Sequence, residues 1–211
     1  MKERYGGRVT VAGLESPELD DSLYYSLAKG ADNAVRIAGE WNEYRSPAIA
    51  EVFAGFLKSK GLINSDTVIL SGSQAIDDLE GEMIFYLSDI LDVPCQSVIT
   101  AVNYESAQNS VKVMKEFAGG LRGEYELMLP TVIGIQAAEN PPRYIPIAKI
   151  RNIMKTSVIE EFDFPDDNLT KGIVVEKLME PESSGMAEML EGSPEAVCSK
   201  IVDILHEHGL I

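Results

Sequence analysis

The 211-residue chain is long enough for one domain with a substantial core and a small appendage, and its 45% apolar, 25% charged composition is that of an ordinary globular protein. A net charge of −16 excludes the usual nucleic-acid and anionic-membrane binders, because phosphate backbones are met by Lys and Arg. Cys95 and Cys198 share no motif spacing, no apolar run reaches the ~18 residues of a membrane span, and residues 1–7 are too polar for a signal peptide. The expectation is therefore a cytoplasmic chain without a metal site or disulfide framework.

In chain order, 9–14 is a short apolar run that reads as a buried strand. Ser16-Pro17-Glu18 supplies an N-cap, a proline at the first helical position and an acid in the first turn. Leu19, Leu23 and Leu27 recur every fourth residue, and Gly30 ends that helix. A second strand follows at 34–37. Ser46-Pro47 repeats the helix-start device ahead of an apolar stripe of Ile49, Val52, Phe53, Phe56 and Leu57. A third strand spans 67–70, and Ile84, Leu87, Ile90 and Leu91 form a helix that ends before Pro94. This alternation predicts a parallel sheet with right-handed crossovers. Strands at 97–102 and 111–117, a Gly119-Gly120 turn and the alternating Tyr125, Leu127 and Leu129 then predict added antiparallel strands. A further buried run follows at 131–135.

Residues 1–155 thus read as an α/β nucleotide-binding-like domain. Residues 156–192, acidic and broken by Pro165 and Pro181, read as an extended arm. The appendage 156–211 closes with a helix started by Ser193-Pro194-Glu195, with Val197, Ile201, Ile204 and Leu205 on one face. That helix suits either gripping a partner or folding back on the chain's own core.

The segment Val68-Ile-Leu-Ser-Gly-Ser-Gln-Ala-Ile-Asp-Asp-Leu-Glu-Gly-Glu82 carries the functional signal. A buried strand there enters a Gly/Ser turn and opens a helix, and in open α/β sheets nucleotides bind beyond such strand ends. Unpaired N–H groups at the helix start suit an anion. Yet Asp77, Asp78, Glu80 and Glu82 stand at that helix start. Ser71-Gly72-Ser73 is too short for a phosphate loop. A hydrolase lacks a nucleophile, since His206 and His208 sit in the last helix as solvated or capping residues.

Three ordered segments resemble the β subunit of electron transfer flavoproteins. Gly72-Ser-Gln-Ala-Ile-Asp-Asp-Leu-Glu-Gly-Glu82 is similar to the family's Gly-Lys-Gln-Ala-Ile-Asp-(Gly/Asp)-Asp-Thr-Gly-Gln. Leu129-Pro130-Thr-Val-Ile133, Asn140-Pro-Pro-Arg-Tyr144 and Asn152-Ile-Met-Lys155 resemble Leu-Pro-Ala-Val-Val, Asn-Glu-Pro-Arg-Tyr and Gly/Asn-Ile-Met-Lys-Ala. Met189-Leu-Glu-Gly-Ser-Pro-Glu-Ala196 through Ile211 resembles the family's closing Glu-Gly-x-Pro-Glu-Glu-Ala and terminal helix, and Gly30-Ala-Asp32 matches Met-Gly-Ala-Asp. The resemblance implies a mostly parallel Rossmann-like sheet of the adenine-nucleotide α-hydrolase type, with no catalytic residues of its own. It also implies a flavin-carrying α subunit as partner and AMP or FAD as cofactor. By that resemblance Gly13 and Leu14 flank the adenine, and Gln74, Ala75, Ile76 and Asp77 line the adenosine. Glu80, Gly81 and Glu82 stand where Thr-Gly-Gln binds phosphate, while Arg143 and Lys155 fix the fold and interface.

Two departures follow. Ionised Glu80 and Glu82 only accept hydrogen bonds, whereas Thr and Gln donate, so these side chains are expected to fill the phosphate seat themselves and impair nucleotide binding. The family also carries a strand, a Lys-Gln-Val-Pro-Asp-like loop and a helix ahead of the segment matching 9–14, where this sequence has the mostly polar residues 1–8. The expectation is a sheet edge covered by a homo-oligomer or a partner. The alternative function is a stand-alone adenine-nucleotide or scaffold module.

Overall fold

Two short parallel ladders, dressed by helices on both faces, carry the larger part of this computed structural model. It describes residues 1–76, 79–138, 141–165, 169–172, 176–177, 179–180, 187 and 189–211, which fall into the units Met1–Val174 and Val175–Ile211. In the first unit α1 (Lys2–Tyr5) precedes β1 (Thr10–Leu14), α2 (Leu19–Lys29), β2 (Asn33–Ala38), α3 (Ser46–Ser59), β3 (Val68–Gly72) and α4 (Met83–Leu91). Then come β4 (Cys95–Glu105), β5 (Ser110–Glu116), β6 (Arg122–Met128), β7 (Thr131–Ile135), α5 (Ile147–Thr156) and β8 (Glu160–Asp163). One sheet has the order β1-β2-β8, all parallel; the other runs β3-β7-β4-β5-β6, parallel through β4 and antiparallel beyond it. The fold is α/β and Rossmann-like, with the antiparallel addition expected from the sequence.

Side-chain parity dictates how the first ladder is covered. Successive residues of a strand point to opposite faces. Val35 and Ile37 of β2 pack with Val52 and Phe56 of α3, and Ala12 and Leu14 of β1 join them. Arg36 points the other way, where its guanidinium pairs with Asp20 of α2 at 3.0 Å. The tip of the Leu19 side chain of α2 sits over Gly13, where a Cβ would displace it. Helices α2 and α3 therefore lie on opposite faces. With right-handed crossovers, leaving β2 through the opposite face carries the chain back past β1. Strand β3 belongs to the other sheet and is not hydrogen-bonded to β1.

Helix α3 holds the two ladders on one floor. Its Val52 and Phe56 belong to the core of the first ladder, its Ala50 and Ala54 to the core with Ile84, Leu87 and Val132, and Phe53 and Leu57 pack against both. On the opposite side, β4 bends within its own sheet, pairing in parallel with β7 and antiparallel with β5. Val98 adopts φ 65° and the register shifts around Ile99. The β4–β6 strands then bury Ile99, Val111 and Val113 against Ile133 of β7.

Several elements differ from the sequence reading. Helix α2 starts at Leu19, with Glu18 rather than Ser16 at its cap and no side-chain cap bond, because 16–19 first forms a turn closed by Leu19 N–H to the Ser16 carbonyl. Helix α5, which packs on α2, and strand β8 are additions to the predicted elements. Within 156–192, Phe162 of β8, Phe164 and Leu169 pack against the first core cluster. Arg143 fixes the fold, pairing with Glu3 and donating to the Lys29 carbonyl at 3.2 Å.

The second unit contains α6 (Pro194–Glu207). There Ser193 Oγ accepts from Ala196 N–H at 3.3 Å, and Pro194 sits in the first turn, as the sequence predicts. Its Ile201, Val202 and Ile204 are exposed. Among the described residues, no helix is long and apolar enough to cross a membrane.

Candidate functional site

The strand-turn-helix after β3 is shaped by its own side chains. The ladder to β7 extends one residue beyond the strand, with Ser73 N–H bonded to the Ile135 carbonyl at 3.0 Å. Gln74 then donates its side-chain amide to the Leu79 carbonyl, and Leu79 N–H returns to the Ala75 carbonyl at 3.2 Å. The turn closes on itself. Ile76, at its crown, is 94% exposed. Gly81 takes φ 66°, a left-handed conformation that favours glycine, and lets the chain enter α4. Glu82 caps α4 through its carbonyl, which accepts from Phe85 N–H at 2.9 Å, and its carboxylate accepts from Tyr86 Oη at 3.4 Å.

Glu80 goes elsewhere. Its carboxylate accepts from Ser46 Oγ at 2.8 Å, across the first turn of α3. Ser46 itself is the first residue of α3, with Arg45 in the capping position and no side-chain cap bond. The serine hydroxyl predicted to cap its own helix is turned to the incoming carboxylate instead.

Between these parts lies a cavity of about 290 Å³. Tyr44, Ser46 and Ile49 form one wall, the β3 end from Ser71 to Ala75 the floor, and Gly81 to Ile84 the other wall. The sequence-predicted Gln74, Ala75, Gly81 and Glu82 are thus brought together, and Glu80 is tied to the lining Ser46. Gly13 and Leu14 are not in this lining: Gly13 abuts Leu19, and Leu14 packs in the first core cluster. Ile76 points outward, and Asp77 lies outside the described residues. Tyr44, Ser46 and Ile49 escaped sequence reasoning as site residues. The Ser46-Pro47 pair signals a helix start, and its approach to a residue 34 positions later is a tertiary fact. No lysine or arginine is among the described lining residues. Nor do the described residues hold a cluster of metal-ligating side chains.

No protein-family model matches the chain. Curated proteins do. The electron transfer flavoprotein subunit beta of Methylophilus methylotrophus is 28% identical over 207 residues, covering 94% of this chain and 76% of that protein. The subunit beta of Bacillus subtilis is 25% identical over 100% of the chain and 82% of its own length. A probable subunit beta of Saccharomyces cerevisiae is 29% identical over 87% of the chain and 70% of its own length. The chain is thus similar, along most of its length, to electron transfer flavoprotein β subunits at 25–29% identity. The similarity to the Bacillus subtilis protein extends over the whole chain, the turn after β3 included.

Proposed function

We propose that this chain acts as an electron transfer flavoprotein β-like subunit, docking on a flavin-carrying α subunit. In that role it supplies binding and orientation, and the flavin supplies the electron chemistry. The observation that carries the reading is similarity to β subunits running the full length of the chain on a Rossmann-like sheet. The family's AMP or FAD would find its adenosine at the crevice after β3, where Gln74, Ala75 and Gly81 meet. The phosphate end does not fit these residues. The Ser46 hydroxyl and the Gln74 amide are both engaged within the protein, and Glu82 adds an acceptor where a donor is needed. A cytoplasmic location accords with this role.

A second reading is supported by the outer sides of β1 and β3, which pair with no other strand among the described residues and offer backbone groups to one. On that reading the chain is a stand-alone or self-associating scaffold. Co-expression with an electron transfer flavoprotein α subunit separates the two. A yellow equimolar complex is the expected product, and a colourless homo-oligomer that ignores the α subunit would overturn the first reading.

A further inference from the structure

We propose that the start of the arm clasps the crevice after β3, so that docking of Phe164, Leu169 and Lys171 and occupancy of the cavity favour one another. The proposal rests on the crevice being a ligand site, as stated above, but not on the α subunit. Both regions act on one wall. Tyr44 and Ile49 line the cavity, and both also pack against the core cluster of Trp41, Val52 and Phe56 that receives Phe164 and Leu169. Tyr44 is tied to Trp41 by its N–H on the Trp41 carbonyl at 3.0 Å and by ring centroids 5.8 Å apart. The loop that carries Tyr44 therefore answers to the cavity and to the arm.

A seat for the arm is built into α3. Gly55 stands inside that helix, where glycine is the least favourable residue other than proline. The Phe164 ring occupies the space its side chain would take, and a Cβ there would overlap the ring edge. Phe162, two residues earlier in β8, meets Phe56 edge to face with centroids 5.3 Å apart. Farther along, Lys171 pairs with Glu43, and Gly172 lies beside Arg45. Glu43 and Arg45 flank Tyr44 in the chain. The pair leaves 57% and 71% of its two side chains in water, so it adds little to the docking. A segment held by a few side chains opens well below the cost of global unfolding. Its release removes contacts that fix the Tyr44 loop, and a ligand touching that wall then loses affinity by the cost of ordering it. By linkage, a ligand that needs the ordered wall holds the arm down by the same factor.

Trypsin reads the arm without a label, because Lys171 is itself a cleavage site. In the full wild-type chain the bond after Lys171 should be cut well before the bond after Lys112, which lies within β5 and opens only on global unfolding. Saturating adenosine, the probe for the cavity, should slow the Lys171 cut about fivefold or more. Gly55→Ala favours helix α3 yet evicts Phe164, so it should speed that cut and weaken calorimetric adenosine binding, each by about fivefold or more. Glu43→Gln removes the exposed ion pair and leaves the α3 core intact, and should move both readouts the same way by about twofold. Cleavage at the two lysines in step, a Lys171 cut indifferent to adenosine, variants that move one readout without the other, or no adenosine binding would each overturn the clasp. Formation of a yellow α-subunit complex is read separately, so failure here leaves the β-subunit reading standing, and the converse also holds.

Discussion

Strands β7 and β3 are neighbours in one ladder, with Ile133 opposite Leu70, yet Ile133 is 0% exposed and Leu70 is 52% exposed. Strand β7 has a parallel neighbour on each side and packs Ile133 with Ile99, Val111 and Val113 of β4 and β5, whereas among the described residues β3 has a paired strand on one side only. The first ladder repeats the contrast, since β2 lies between β1 and β8 and buries Ala34, Val35 and Ile37, while no residue of β1 is fully buried. Apolarity alone does not set burial here. Val11, Leu14, Ile69 and Leu70 are as apolar as the residues of β7, and their incomplete burial accompanies a strand paired on one side among the described residues.

The largest effects test whether the two ladders are one cooperative body. Phe56→Ala empties the core under the first ladder and should lower stability to urea by about 3–5 kcal/mol, and Ile133→Ala in the second by about 2–5 kcal/mol. Because α3 packs against both cores, Trp41 fluorescence and far-UV circular dichroism should report one coincident transition in either variant. Separate transitions would make the ladders independent units. Leu70→Ala sharpens the contrast between register partners: its cost should stay below about 1 kcal/mol, since half of that side chain is already in water. A cost equal to that of Ile133→Ala would mean β3 is covered in solution.

Backbone amides offer a gentler probe. Hydrogen exchange should be slower in β2 and β7 than in β1 and β3, and equal protection would show that something pairs the two edges. The smallest effect concerns the N-terminal tie of the first ladder. Asp32 accepts from the Lys2 ammonium at 2.6 Å and from Val9 N–H at 2.7 Å, and these bonds, the ammonium first, hold its carboxyl below the usual 3.8. A lowered folded-state value means the contact stabilises above the ordinary carboxylate range and is lost as pH falls through and below 3.8. The stability difference between wild-type protein and Asp32→Asn should therefore be small at neutral pH and vanish on acidification. A difference that grows in acid would contradict this tie.

The three Ser-Pro pairs measure how much of the molecule is legible in the sequence. Ser193-Pro194 behaves as local rules dictate, its hydroxyl capping its own helix. Ser16-Pro17 leads into a turn that delays the helix to Leu19. Ser46-Pro47 starts its helix, but the hydroxyl is claimed by Glu80. Local signals specified that helices begin near each pair; what each hydroxyl bonds depends on distant chain. The alternation of elements was legible for the same reason, since period and turn chemistry act within a few residues. Strand β8 was not, because Glu160-Glu-Phe-Asp163 has the composition of a loop and becomes a strand only beside β2, with Arg36 neutralising Glu161 and Lys60 pairing with Glu160. At the crevice, the carboxylates of the turn were readable, but the helix that Glu80 reaches was not. Glu80 stands near the start of α4 in sequence and at the start of α3 in space.

The bend in β4 bears on which insertions and deletions this chain can accept. One strand belongs to both a parallel and an antiparallel pairing, and the register shift near Ile99 sets the phase between them. Gain or loss of a single residue there would turn every later side chain of β4 to the opposite face, putting Val102 and Tyr104 where Ala101 and Asn103 now stand. The hairpin tip between Glu105 and Ser110 carries no such phase and can lengthen freely. Length variation among relatives should therefore gather at the tip and spare the bend.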